Sequence, residues 1–233
     1  MPFSQDQIFE TGEGDQWFAR NKQGLEQFDP ETDFPLRLMS LYDLHPTSVL
    51  EIGAASGVRG AAIAKRCKSR VVALEPSADA VRYGKSRFPK VEFVRGAASA
   101  IPLKDSFDLI VVNFVFHWID RANLLRSVAE VDRVLADGGF LIIGDFCPSG
   151  LAKVQYHHLP EQKIYTYKQN YAATFLASGL YHSVSLLTGD HSSSSMSGIS
   201  AEGERIGTWL LRKVLEEHYA QQTFTPETRT GSK

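Results

Sequence analysis

Cysteine is scarce in this sequence. Cys67 and Cys147 are the only two, and neither belongs to a C-x-x-C pair. A disulfide-stapled framework and a thiolate metal centre therefore find no support, and two reduced, mostly buried thiols of a cytoplasmic protein are the expectation. No stretch approaches the ~18 apolar residues needed to span a bilayer. The opening MPFSQDQIFETGEGDQ has neither the basic flank nor the apolar centre of a secretion signal. Charge of one sign is also missing: 25 Lys and Arg face 27 Asp and Glu, for a net charge of -2 with no long basic run. Non-specific attraction to nucleic acid or to an anionic membrane requires a concentrated basic surface, so both partners are disfavoured. There is no internal repeat and no sign of a second domain.

What is present is an alternation of strand and helix signals through the middle of the chain. Thr47 to Ile52 is a short apolar and β-branched run stopped by Gly53, and Gly57 to Arg66 reads as a helix. Val71 to Leu74 ends at Glu75-Pro76, Ser77 can cap a helix running to about Phe88, and Val91 to Val94 is a third strand. Phe107 to Val112 is apolar enough for a strand buried on both faces. Asp120 is the expected N-cap of the next helix, in which Leu124, Val128, Val131 and Leu135 recur on one face. Asp137-Gly138-Gly139 breaks it before a fifth strand, Phe140 to Ile143. Val184 to Leu187 and Ile206 to Val214 read as two final strands, an antiparallel pair on the sheet edge. The expected architecture is a Rossmann-like α/β fold: seven strands, mostly parallel, the last antiparallel, with helices on both faces.

The segment Glu51-Ile52-Gly53-Ala54-Ala55-Ser56-Gly57 joins an acidic strand end to a tight turn and a helix start, where small residues let a ligand approach the backbone. It resembles the first motif of the class I methyltransferases, acidic-x-Gly-x-Gly-x-Gly, with Ala55 standing where that family usually has glycine. Alanine is acceptable there if its φ is negative. Three further stretches are similar to the family in the same order: Glu75 at the end of the second strand, GAASAIPL at Gly96 to Leu103, and Phe107 to Ile110 with Arg133 to Gly139. The resemblance covers about residues 47 to 145 and implies S-adenosylmethionine as cofactor and S-adenosylhomocysteine as product. It implies that Glu51 orients the methionine amino group, although a plain helix-capping carboxylate is the alternative. Glu75, next to Pro76, would accept hydrogen bonds from the ribose hydroxyls. Gly53, Ala54, Ala55 and Gly57 would line the turn. Ala97 replaces the aspartate that usually contacts the adenine amino group, leaving Ala98 and Ser99 to do so. A nicotinamide dinucleotide needs G-x-G-x-x-G for its pyrophosphate, and this turn offers Ala55 and Val58 at the second and third positions.

The acceptor side is read from the segments after the fourth and fifth strands. NFVFHW, Asn113 to Trp118, places Asn113 and Phe114 beside the cofactor and His117 as first candidate for a base. A histidine merely packed beside Trp118 is the alternative. Tyr156-His157-His158 and Tyr165-Thr166-Tyr167-Lys168 form the second candidate set, with His157 and His158 as catalytic candidates. Asn113 and Asp145 occupy the places where some relatives hold a divalent metal with acidic residues, so no metal site is expected. An N-terminal stretch containing Trp17, Phe18, Arg20 and Asn21 resembles an N-terminal segment of small stand-alone methyltransferases of surface-sugar and peptide natural-product pathways. This implies a lid over the cofactor, a surface helix burying Trp17 and Phe18 being the alternative. The whole chain is then one domain: 1–40 an N-terminal lid, 41–146 the cofactor core, 147–182 an acceptor-side insertion, 183–216 the last strands and 221–233 a polar, disordered tail. The expected reaction is O-methylation of a hydroxyl or carboxylate on a small molecule, sugar or peptide. Methylation of nitrogen or nucleic acid, or a non-catalytic partner protein, are the alternatives.

Overall fold

In the computed structural model, residues 4–193, 196–198, 201, 203–216 and 219–221 are described. The expected disordered tail lies almost wholly outside them. Seven strands form the main sheet: β1 (Ser48–Ile52), β2 (Arg70–Glu75), β3 (Val91–Arg95), β4 (Phe107–Asn113), β5 (Leu135–Phe146), β8 (Tyr181–Asp190) and β9 (Arg205–Lys213), in the order β3-β2-β1-β4-β5-β9-β8. The pairs β1·β2, β1·β4, β2·β3 and β4·β5 are parallel, whereas β9 runs against both β5 and β8. The mostly parallel sheet with an antiparallel last strand is therefore present.

Alternate side chains of each central strand fill two separate cores. Leu50, Val72 and Ile110 enter one, while Val49, Val71 and Leu109 enter the other. Helices α3 (Phe34–Leu41), α4 (Val58–Cys67) and α5 (Ala78–Arg87) cover the second core with Leu38, Met39, Ile63 and Val81. Helices α6 (Leu124–Val134) and α7 (Ala172–Leu176) cover the first with Val131, Val134 and Phe175. This two-sided burial is why the central strands read as near-continuous apolar runs. Asp108 ties the start of β1 to β4, its carboxylate accepting from the amides of Thr47 and Ser48 at 2.8 Å each. Ser77 caps α5 as expected, its hydroxyl accepting from the Ala80 amide at 3.0 Å.

Three local expectations are corrected. Asp120 does not cap α6. Its carboxylate accepts from Ala122 and from Gln5 instead, in a turn tied to the N-terminal helix, and the helix begins at Leu124. Leu135 does not close the helix but opens β5, opposite Phe107. Asp137-Gly138-Gly139 is a bulge within that strand, with Gly138 at φ +75° and the register shifting between Phe107 and Leu109. Residues 147–182, the expected acceptor-side insertion, contain a two-stranded antiparallel hairpin, β6 (Ala152–Gln155) with β7 (Tyr165–Lys168). Its strands are only four residues each and lie outside the main sheet, too short for a clear period. At the N-terminus, α1 (Gln5–Ile8) continues through a π-helical turn, Phe9–Glu13, into α2 (Gly14–Glu26). Among the described residues, no helix is long and apolar enough to cross a membrane.

Candidate active site

A cavity of about 770 Å³ opens at the carboxyl ends of β1, β2, β4 and β5, where open α/β sheets bind ligands. Its floor is the turn after β1. Gly53 sits at φ +68°, and a Cβ there would lie 2.3 Å from Val115 Cγ2, so only glycine fits. Gly57, at φ +76°, starts α4 but is not on the cavity wall; a Cβ there would strike the Phe93 ring at 2.3 Å. Its smallness serves packing between α4 and β3.

Ala55 corrects the expectation of a negative φ: it sits at +48°, in the left-handed region. Its amide donates to Glu75 Oε2 at 2.7 Å, and that buried bond holds the turn in place against the steric cost. Replacing Ala55 by glycine is expected to stabilise the fold by roughly 0.5–1 kcal/mol, the left-handed strain relieved less the entropy of a freer unfolded chain. A denaturant midpoint unchanged or lowered in Ala55→Gly would contradict this account.

Two carboxylates face this floor. Glu51, 1% exposed, accepts from Arg59 Nη1 at 2.8 Å and from the Gly60 amide at 2.9 Å, so it performs the helix-capping role. Burial alone would lower the Arg59 guanidinium, but Asp33 and Glu51 on either side overcome this and hold it above its ordinary value. Glu75 was expected at an open strand edge. It is instead buried at 7% exposure, with the Ala55 amide on Oε2 and the Ser77 amide on Oε1 at 2.9 Å. Burial pushes its carboxyl up to about 7, and the two amides only partly oppose this.

The N-terminal segment closes over the cavity. Phe9, Trp17 and Asn21 line it, whereas Phe18 is buried against Tyr83. Arg20 is not on the wall. It pairs with Glu13, and Tyr156, a buried residue of the loop that joins β6 to β7, donates to the same carboxylate at 2.6 Å. This cluster joins the two segments that cover the cavity.

On the far side, a short 3-10 turn, Phe116–Trp118, carries His117. The imidazole is 2% exposed and lines the cavity. Nδ1 lies 2.9 Å from Asp145 Oδ1, a close contact outside aligned hydrogen-bond geometry. Asp145 is itself held by the amides of His117 and Phe146. His117 packs on Trp118, 4.4 Å between ring centres, and against Phe114 and Phe146. His157 and His158 are exposed at the cavity mouth, their rings 3.9 Å apart, and slight desolvation together with the positive charge of Arg20 and His157 lowers His158.

The cavity thus brings together Trp17, Asn21, Glu51, Gly53, Ala54, Ala55, Glu75, Pro76, Ala98, Ser99, Asn113, Phe114 and the three histidines, while Arg20 and Gly57 lie off it. Phe28, Val115, His191 and Glu204 also line it without having been singled out. Val115 lay inside the NFVFHW stretch, but Phe28 and the His191–Glu204 region carry no motif. Among the described residues, no group of three or more His, Cys, Asp or Glu is placed to hold a metal ion.

A wall with two carboxylates and no phosphate-binding glycine pattern suits a ligand rich in donors, hydroxyls and an ammonium, and repels a pyrophosphate. The sheet order, turn and cavity define a Rossmann-like methyltransferase fold. Residues 50–143 match the methyltransferase domain family. Over 99 residues the chain is 32% identical to demethylmenaquinone methyltransferase of Renibacterium salmoninarum, covering 42% of this chain and 40% of that protein. Over 98 residues it is 36% identical to a probable S-adenosylmethionine-dependent methyltransferase of Mycobacterium tuberculosis, covering 41% and 34%. The matched stretch thus spans about two fifths or less of these relatives. Among solved structures, the 1,6-didemethyltoxoflavin-N1-methyltransferase of Burkholderia thailandensis, with S-adenosylhomocysteine bound, superposes with a TM-score of 0.69 at 15% identity over 92% of both chains. The N-methyltransferase NodS of Bradyrhizobium japonicum gives 0.55 at 18%, over 84% of this chain and 87% of that one. Residues 50–143 are thus similar to S-adenosylmethionine-dependent methyltransferases, and the chain as a whole shares the fold of solved methyltransferase structures.

Proposed function

We propose that the chain transfers the methyl group of S-adenosylmethionine to a hydroxyl oxygen of a small molecule, sugar or peptide, with His117 as base. The observation that carries this reading is the buried His117–Asp145 pair on the cavity wall. An imidazole whose Nδ1 faces a carboxylate keeps its proton there and presents Nε2 as acceptor. Bound S-adenosylmethionine supplies a methyl group already made electrophilic by its sulfonium. The chain's own tasks are to hold the acceptor oxygen in line, to take its proton at His117, and to keep water out beneath the N-terminal segment and the hairpin. Glu75 binds the ribose hydroxyls in this reading, and Ala98 and Ser99 face the adenine.

Titration of the purified chain with S-adenosylhomocysteine is expected to show micromolar-range binding, on the order of -8 kcal/mol. Absence of heat and of a thermal shift, with binding of a nicotinamide dinucleotide instead, would sink the proposal. The raised Glu75 carboxyl adds a pH signature. Hydroxyls donating to it favour its ionised form, so affinity should rise from pH 6 to pH 8 with release of a proton, seen as buffer-dependent calorimetric heat. In the unliganded chain the sign reverses. The folded value lies above the ordinary 4.5, so this carboxyl's stabilising contribution is complete below 4.5 and is lost as pH rises through about 7.

A further inference from the structure

His191 follows β8 and escaped the sequence motifs, yet it stands on the same aromatic wall as His117. Its ring lies 5.3 Å from Phe114 and 4.8 Å from Phe146, the two rings that His117 also touches. Its Nδ1 lies 3.5 Å from Glu204 Oε2, and its backbone amide donates to the Glu204 carbonyl at 2.8 Å. The cavity therefore holds two histidines, each with a carboxylate at Nδ1, converging on one pair of phenylalanine rings.

A second cavity of about 270 Å³ adjoins the first, and Phe28, Asn113, Phe114 and His191 line both. His191 thus stands at the junction. Phe114 holds its ring there at φ +57°, a left-handed conformation that a bulky residue adopts only when its surroundings enforce it.

We propose that His191, backed by Glu204, contacts the acceptor beside His117, so that the cavity selects a ring hydroxyl with a second hydrogen-bond donor next to it. The proposal rests on the methyltransferase reading above and names its substrate class. Nδ1 facing a carboxylate leaves Nε2 to accept, and two acceptors on one apolar wall are satisfied together only by two neighbouring donors. An acceptor with a single hydroxyl leaves one imidazole desolvated without a partner. Phe114 and Phe146, with Trp118 nearby, present ring faces and edges that suit a flat acceptor. The His191 side chain is half exposed; partial desolvation lowers it, Glu204 opposes this, and Lys168 and His117 add to it.

The probes are catechol and phenol, given with radiolabelled S-adenosylmethionine to the full chain and to His191→Leu and Glu204→Gln. The parent is expected to prefer catechol to phenol by at least about tenfold in kcat/KM, within the range by which a site built for a polar group rejects an analogue lacking it. His191→Leu should raise the catechol KM about tenfold with a smaller change in kcat and no change for phenol, and Glu204→Gln should do so more weakly. Binding of S-adenosylhomocysteine should be the same in all three, which also reports folding. Unchanged selectivity in the variants, or cofactor binding without transfer to either probe, overturns the substrate class. Loss of cofactor binding in the parent overturns the methyltransferase reading beneath it.

Discussion

Replacing His117 by alanine is expected to lower kcat by about 10²–10⁴ while leaving S-adenosylhomocysteine affinity nearly unchanged. The imidazole lies on the cavity wall after β4, with Asp145 behind it, and not among the carboxylates and turn residues assigned to the cofactor. A base that acts on the acceptor works in the transition state, so its loss falls on turnover. His157→Ala and His158→Ala should cost less, because both rings are exposed at the mouth and neither is fixed by a carboxylate. Asp145→Asn is the harsher companion. The carboxylate accepts from the His117 and Phe146 amides, and an asparagine would turn its own donor toward one of them. Single-turnover methyl transfer separates chemistry from product release. Full activity in His117→Ala would move the base elsewhere, and a modest, uniform loss would point to a carboxylate acceptor that needs no base.

Replacing Glu75 by glutamine is expected to weaken S-adenosylhomocysteine binding by about 1.5–3 kcal/mol, the range for hydrogen bonds to a charged group. Glutamine keeps one carbonyl oxygen for an amide but loses the charge on which the ribose hydroxyls would rely. Glu75→Ala should differ in kind. The Ala55 and Ser77 amides both end on this carboxylate, so alanine strands two donors in a buried place at about 1–3 kcal/mol each. The left-handed Ala55 would lose its anchor as well. The alanine variant is therefore expected to lose more melting temperature than the glutamine variant, which keeps one acceptor but turns its own donor toward the other amide. Parent-like binding by Glu75→Gln would remove Glu75 from the cofactor site.

The half of the cavity formed by the turn after β1 was the legible half. Its residues sit where strands end and helices begin, and an acidic strand end followed by small residues leaves a local signature. The Ala55 expectation failed for a non-local reason, since the bond that enforces its positive φ comes from Glu75, twenty positions along the chain. Asp120 failed similarly, because the N-terminal helix claims its carboxylate. His191 was invisible because it lies in a Ser/Gly-rich stretch with no period.

By itself, the sequence determined the strand-helix alternation, the near-continuous apolar runs of the central strands and the turn after β1. Each depends on side-chain size and polarity within a few residues, which periodicity and backbone sterics translate directly into local structure. The tertiary structure alone decided that Glu75 is a buried brace for the turn, that Arg20 turns toward Glu13 and Tyr156, and that His117 meets Asp145 and shares its aromatic wall with His191. These are contacts between elements far apart in the chain. Burial and partnership across the sheet edge, rather than local propensity, set their geometry and charge.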